Sequence, residues 1–207
     1  MSCGDEASRK AVHVFMREYC RKENGDPVND ALWRALKVAN TAVFDLAFDG
    51  EEEKDLGTTL IATVIEQGKL YWVSAGDSRI YLFRNENLQQ LTRDHIYGNH
   101  LQLDVASGRI SQIEADNHPE RRHLTSYLGL LELPETDQSA QPLLLQNQDV
   151  VILSTDGLYD TLSEPDIVAT LKKETQNPAE ELVKEALTRN NKYQDNITVI
   201  TLSVIDS

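Results

Sequence analysis

The sequence predicts an α+β fold, in which antiparallel β-sheet packs against α-helices. Apolar residues recur at helical spacing through the first quarter of the chain. After Gly57 the pattern alternates and becomes rich in Thr, Val, Ile, Tyr and Trp, which is typical of strands. Helices and strands thus come in runs, which favours α+β over a doubly wound fold with strict alternation. The length of 207 residues predicts one domain, covering 1–207.

Two helices are predicted in the first quarter. The first runs over Glu6–Lys22. The second starts after Asp26, a helix-capping residue followed by Pro27, and ends near Phe48. An acidic segment over 49–55 follows, and we expect it to be a solvated loop. The second helix carries the clearest apolar stripe of the sequence, formed by Val28, Leu32, Ala35, Leu36, Ala39, Val43 and Leu46.

Two hairpins are predicted next. The strands Thr58–Glu66 and Lys69–Ala75 are separated only by Gln67-Gly68, which is a hairpin turn signal. A second pair, Arg79–Phe83 and Leu88–Leu91, turns over the polar residues between them. The remaining predicted elements are a helix over 94–106, an irregular stretch over 118–136, an apolar strand over 150–153, a turn at Asp156-Gly157, helices over 163–171 and 177–190, and a closing strand over 197–204.

The amino-acid composition argues against several classes of function. The chain has 34 acidic and 20 basic residues and a net charge of −14, which argues against a nucleic-acid-binding protein. It has no run of 18 apolar residues that could span a membrane, and 1–6 do not resemble a secretory signal. The two cysteines, Cys3 and Cys20, cannot form a disulfide framework. We therefore expect a protein of the reducing cytoplasm without nucleic-acid or membrane partners.

Three acidic motifs lie beside apolar strands: Gly76–Arg79, Thr155–Asp160 and Gln194–Thr198. Carboxylates held at strand ends can converge, and a hard divalent cation then relieves their repulsion. Oxygen ligands without a matching His or Cys favour Mg²⁺ or Mn²⁺ over zinc. Each motif alone is more typical of an ordinary turn. Gly76-Asp77 also fits a tight reversal with Arg79 as a salt-bridge partner of the aspartate.

Taken together and in this order, the motifs resemble the PP2C, or PPM, family of metal-dependent protein serine/threonine phosphatases. The resemblance runs from about Gly4 to Val204, nearly the whole chain. The family's central hairpin signature is similar to Gly57–Leu60, Val73–Arg79 and Gln90–His95. Its Asp-Gly metal motif is similar to Leu153–Asp160, and its terminal Asp-Asn motif is similar to Asp195–Val199. A weaker similarity covers Leu124–Gly129.

This resemblance implies a sandwich of two antiparallel β-sheets flanked by helices, with a metal centre at one end. It implies that two Mn²⁺ or Mg²⁺ ions activate a water that attacks the phosphorus of phosphoserine or phosphothreonine. Asp156 and Asp195 would ligate one ion of the pair, whereas Asp77 and Asp160, with Asp156, resemble ligands of a weaker third metal. The implied partner is a phosphorylated protein, the product of a serine/threonine kinase.

The sequence also departs from the family pattern. Members open with two strands that carry a phosphate-holding Arg and a Glu-Asp pair. An Asp-Gly-x-Gly-Gly turn follows, and its Asp bridges two metals. None of these features occurs in this sequence. Gly4–Ser8 resembles the segment that follows that turn. We therefore expect a domain that is N-terminally truncated, with impaired activity. Asp5 and Glu6 stay open as substitute ligands, although acids at a helix start are more typical of dipole stabilisation.

Two functional hypotheses remain beside an unrelated α+β protein. The first is a phosphatase, and the second is a catalytically inactive PP2C-like pseudophosphatase that binds or regulates a partner. Four histidines, His95, His100, His118 and His123, match no metal-site spacing, and we interpret them as surface or locally bonded residues.

Overall fold

The structure, a computed structural model, describes residues 3–47, 56–173, 175–189, 192 and 194–205. Over these residues the chain forms helices and strands in runs, as the sequence predicts. The helices are α1 (Cys3–Tyr19), α2 (Val28–Ala47), α3 (Tyr97–Ala106), α4 (Gln112–Asp116), α5 (Asp156–Tyr159), α6 (Glu164–Leu171) and α7 (Pro178–Thr188). The strands are β1 (Leu60–Glu66), β2 (Lys69–Ala75), β3 (Arg79–Arg84), β4 (Asn87–Gln90), β5 (Asp137–Gln138), β6 (Leu143–Leu144), β7 (Val150–Ser154) and β8 (Val199–Ser203).

The strands belong to two four-stranded sheets. One has the order β1-β2-β5, and β6 also pairs with β2. The other has the order β4-β3-β7-β8, and all of its pairs are antiparallel. Strands β5 and β6 are likewise antiparallel to β2. The predicted α+β class with antiparallel sheets is confirmed.

The chain divides into two compact units. The first contains residues 1–65, 71–77 and 94–142, and the second contains 66–70, 78–93 and 143–207. None of the described helices is long and apolar enough to cross a membrane.

The core of the first unit is built by the two long helices that the sequence predicts. The inner faces of α1 and α2 are buried together with Leu60, Val73 and Leu128. Burying their apolar stripes stabilises the unit by about 25 cal/mol for each Å² of apolar surface removed from water. The buried residues of the two helices are Ala7, Ala11, Val14, Phe15, Val28, Leu32, Ala35, Leu36, Ala39, Val43 and Ala47.

The core of the second unit lies between its sheet and the helices α5, α6 and α7. Tyr81 and Ile152 come from neighbouring strands, and Leu158, Ile167 and Leu182 come from one helix each. Leu158 is fully buried, so the apolar side of the short helix α5 is anchored in this core. Asp156, the acidic residue of α5, is therefore held by a helix that is anchored in the core.

The structure differs from the sequence prediction in the following elements. The prediction of a turn at Asp156-Gly157 is wrong: Asp156 begins helix α5, which is too short to show a helical period. The predicted helix over 94–106 begins only at Tyr97, because Ile96 is extended with φ −129° and ψ 152°. Helix α4 was not predicted, although Ser111 and Glu114 form the capping box that marks its start. The acidic segment 49–55 lies outside the described residues.

Candidate metal centre

The four predicted metal-binding acids lie at the ends of strands or beside them. Asp77 follows β2 and belongs to the first unit. Asp156 is the first residue of α5, Asp160 follows the end of that helix, and Asp195 lies in the loop before β8. The last three belong to the second unit, where their surroundings can be compared directly.

The pairing of β7 with β8 brings the segments of Asp156 and Asp195 side by side. Ser154 and Val199 are partners at the end of this ladder. Beyond it, the Thr155 N–H donates to the Thr198 carbonyl at 3.1 Å, and the Thr198 N–H donates to Thr155 Oγ1 at 3.0 Å. The two chain segments therefore continue together past the sheet, as the sequence predicts for motifs at strand ends.

Gly157 allows the first turn of α5 to approach the Asp195 loop closely. A Cβ atom at Gly157 would lie 2.5 Å from the Asn196 carbonyl oxygen and 3.2 Å from the Asp195 carbonyl oxygen. Both are backbone atoms, so a side chain at this position would push the helix and the loop apart. The glycine of the Asp156-Gly157 motif thus serves contact between two segments rather than a left-handed turn.

The carboxyl group of Asp156 lies near the negative charges of Asp195 and Asp160. Burial raises its pKa, and repulsion from Asp195 and from Asp160 raises it further. The N–H groups of Gly157 and of Asp156 itself act in the opposite direction without cancelling these effects. Such a site is relieved by a cation, and carboxylate oxygens are the ligands that Mn²⁺ and Mg²⁺ prefer.

The side chain of Asp195 is exposed and partly oriented by its own loop. The Asn196 N–H donates to Asp195 Oδ1 at 2.7 Å. In the part of the chain that the structure describes, no group of three or more His, Cys, Asp or Glu side chains is arranged to hold a metal ion. The structure thus brings the negative charges of Asp156 and Asp195 near each other, while their role as ligands stays a prediction.

The turn that carries Asp77 is held by a histidine. Gly76 has φ +110°, and a Cβ there would lie 2.4 Å from Thr59 Cγ2. The Gly76 N–H donates to His95 Nδ1 at 3.0 Å, and the His95 N–H donates to the Gly76 carbonyl at 3.0 Å. His95 is fully buried, and these two bonds make it a locally bonded residue, one of the two alternatives that the sequence predicts. The backbone of the residue before Asp77 is therefore fixed on both of its polar groups.

Glu135 lies near two of the four histidines. Burial alone would raise its pKa, but the Thr125 hydroxyl and the rings of His95 and His100 outweigh that effect and lower it. His100 Nε2 lies 3.7 Å from Glu135 Oε2, and the ring of His118 packs edge-on against Tyr97. These histidines are locally bonded, as predicted.

Arg79 supports the second unit's acidic helix. Its guanidinium carbon lies 3.5 Å from the centroid of the Tyr159 ring, and Nη1 donates to the Tyr81 hydroxyl at 3.1 Å. A cation above an aromatic face is attracted by the ring's electrons. Arg79 thus joins β3 to the last residue of α5.

The two other acids considered as substitute ligands lie at the start of helix α1. Asp5 and Glu6 are exposed in the first turn of this helix, where acids stabilise a helix.

Comparison with known proteins adds the following findings. The family model of protein phosphatase 2C matches residues 2–190. Serine/threonine phosphatase stp of Listeria innocua is 30% identical over 202 residues, covering 95% of this chain and 77% of that protein. The structure of the Streptococcus agalactiae serine/threonine phosphatase matches with a TM-score of 0.81 and 27% identity, covering 97% of this chain and 81% of that one. A structure of the catalytic domain of PstP with two manganese ions matches with a TM-score of 0.75 and 28% identity, covering 98% of this chain and 82% of that one.

Proposed function

We propose that this chain, which belongs to the protein phosphatase 2C family, is a metal-dependent protein serine/threonine phosphatase that binds Mn²⁺ or Mg²⁺ at Asp156 and Asp195. The family predicted from the acidic motifs is confirmed by the family match. The names of the relatives support phosphoserine and phosphothreonine in proteins as the substrate class. The phosphorylated protein is the product of a serine/threonine kinase.

The observation that carries the proposal is the excess negative charge around Asp156. Burial and repulsion from Asp195 and Asp160 all raise the pKa of this carboxyl group. Repulsion between these negative charges destabilises the folded chain, and a bound divalent cation removes the repulsion. Asp160 belongs to the proposal as a ligand, with Asp156, of a weaker site, whereas the role of Asp77 stays a prediction from the sequence.

The residues of the chain have distinct tasks in this proposal. Asp156 and Asp195 hold the ion, Gly157 allows their segments to approach, and the Asn196 N–H orients one oxygen of Asp195. A divalent cation bound there supplies Lewis-acid chemistry: it lowers the pKa of water and neutralises charge on phosphoryl oxygens. No side chain acts as the nucleophile. We propose a reducing, cytoplasmic location, in keeping with the free, exposed thiol of Cys20.

The proposal is tested with p-nitrophenyl phosphate and a phosphothreonine peptide, with and without Mn²⁺. Phosphate release is followed with enzyme in excess, so that even a single turnover is detected. We expect release to depend on Mn²⁺ and to stop with EDTA. Asp156→Asn and Asp195→Asn should each lower the rate at least about tenfold, since even weaker changes around metal ligands cost about 10- to 100-fold.

The matched control is Glu164→Gln, which removes one negative charge at an exposed position of the first turn of α6. This variant should keep the wild-type rate. Wild-type turnover in Asp156→Asn would contradict the ligand assignment. Calorimetry that finds binding of Mn²⁺ and phosphopeptide without phosphate release would instead favour a pseudophosphatase.

A further inference from the structure

We infer that Gln194 is a positioning residue of the metal centre, because its side-chain amide ties helix α5 to the Asp195 loop and so sets the separation of Asp156 and Asp195. The inference rests on the proposed function, since the separation of these two acids matters only if they share a cation. Gln194 belongs to none of the acidic residue types from which the site was predicted.

With the residues that the structure describes, the amide of Gln194 makes three hydrogen bonds. Its Oε1 accepts a hydrogen bond from Thr161 Oγ1 at 2.9 Å. Its Nε2 donates to the Gly157 carbonyl at 3.1 Å and to the Asp195 carbonyl at 3.0 Å. Gly157 directly follows Asp156 in the chain. One planar group therefore contacts both sides of the proposed site.

The chemistry of these contacts requires an amide. Two carbonyl oxygens face Nε2, and neither can donate, so only the N–H₂ end of the group fits there. A flipped amide would place Oε1 against the same two carbonyl oxygens. A glutamate at this position would do likewise, because an ionised carboxylate only accepts hydrogen bonds. A side chain with the shape of glutamine but without its N–H donors therefore cannot make these contacts.

The loop needs such a tie because Asp195 and Asp156 of α5 repel each other. Asp195 and Asn196 are exposed, so packing does little to hold them against α5. Thr155 bridges the two segments on the side before Asp156, where its hydroxyl donates to the Asn196 carbonyl at 3.2 Å. Gln194 bridges them on the side after Asp156. The two bridges together bracket the acid from both directions along the chain.

The test is the affinity for Mn²⁺ of the full chain, measured by calorimetry and by the electron paramagnetic resonance signal of free Mn²⁺. Gln194→Leu removes all three contacts without changing the charge. We expect its dissociation constant for Mn²⁺ to rise about 10- to 100-fold, the usual effect of losing a group that orients metal ligands. The Mn²⁺ concentration for half-maximal phosphate release should rise in step, whereas the rate at saturating Mn²⁺ should change less than about threefold.

A graded pair of variants keeps the test valid if Gln194→Leu folds poorly. Thr161→Val removes one contact of three and should weaken Mn²⁺ binding less than Gln194→Leu does, whereas Thr161→Ser keeps the hydroxyl and should bind as the wild type. The control Gln112→Leu removes an exposed amide that donates to Asp116 Oδ1 in α4, and it should bind Mn²⁺ normally. Urea unfolding of each variant separates a loss of fold from a loss of affinity.

The outcomes separate this inference from the proposed function. If the wild type binds Mn²⁺, and Asp156→Asn does not, the metal centre stands. Unchanged Mn²⁺ affinity in a folded Gln194→Leu or Thr161→Val then overturns the positioning role alone. A wild-type chain without Mn²⁺ binding overturns the proposed function and the inference with it.

Discussion

The side chain of Asp149 is only 1% exposed, and its negative charge is compensated by Arg84. Arg84 Nε donates to Oδ1 at 2.8 Å and Arg84 Nη2 to Oδ2 at 2.6 Å, while the Gln146 N–H donates to Oδ2 at 2.7 Å. Burial acts to raise the pKa of Asp149, but these hydrogen bonds outweigh it and hold the pKa below its usual value. The pair joins the end of β3 to the turn before β7.

This shift in the pKa of Asp149 predicts how stability depends on pH. A carboxyl group with a lowered pKa in the folded state stabilises the fold above its unfolded pKa of about 4, and that contribution is lost as the pH falls through the folded pKa. The difference in unfolding free energy between the wild type and Asp149→Asn should be constant from about pH 7 to pH 5 and shrink below about pH 4. Urea unfolding at several pH values measures it. A difference that grows in acid would contradict the role of the carboxylate.

The connection between β2 and β3 illustrates the scale of elements. Its glycine adopts a left-handed conformation, and both polar groups of Gly76 are bonded to His95. His95 itself lies in the segment before α3, and its carbonyl accepts from the Thr125 N–H at 2.9 Å. His95 therefore links the end of β2 to the Thr125 segment of the first unit, through its buried ring and its backbone.

Replacing this ring is expected to destabilise the first unit. His95→Leu fills the space but leaves the buried Gly76 N–H without its acceptor, which costs about 1–3 kcal/mol. His100→Leu is the matched control, because the side chain of His100 is 49% exposed, and exposed substitutions usually change stability by less than about 0.5 kcal/mol. Urea unfolding measures both variants, and hydrogen exchange of the Gly76 amide reports the lost contact. Equal stabilities of the two variants would contradict the holding role of His95.

Elements with a clear period were predictable from the sequence, and elements defined by contacts were not. Helices α1 and α2 have apolar stripes long enough to reveal their inner faces. Strands β5 and β6 have two residues each, so they show no alternation and exist only because β2 pairs with them.

The same distinction holds within the site. The acidic motifs were recognised because each combines residue types with a strand end. His95 and Gln194 act through partners that are 19 and 33–37 residues away in the chain, and such contacts leave no local pattern. Gln194 is the first residue of the third acidic motif, but a polar residue in a polar loop carries no sign of a positioning role. Its task becomes visible only when α5 and the loop before β8 are seen together.

At the scale of the whole molecule, the net charge of −14 predicts a response to salt. Mutual repulsion of excess charges destabilises a compact chain, and the screening length falls from about 30 Å at 0.01 M salt to about 8 Å at 0.15 M. The melting temperature should therefore rise with NaCl over this range. This effect depends on total charge and not on any one site, so Asp156→Asn should retain it.

Mn²⁺ should raise the melting temperature further than NaCl at matched ionic strength. An ion that binds only the folded chain stabilises it by about 2.7 kcal/mol at a concentration 100 times its dissociation constant. This increment is specific to the site, so Asp156→Asn should lose it while Glu164→Gln keeps it. Differential scanning calorimetry with NaCl, MgCl₂ and MnCl₂ at equal ionic strength separates the two effects. If the Mn²⁺ increment persists in Asp156→Asn, the ion binds elsewhere on the acidic surface, and general charge attraction rather than a built centre accounts for it.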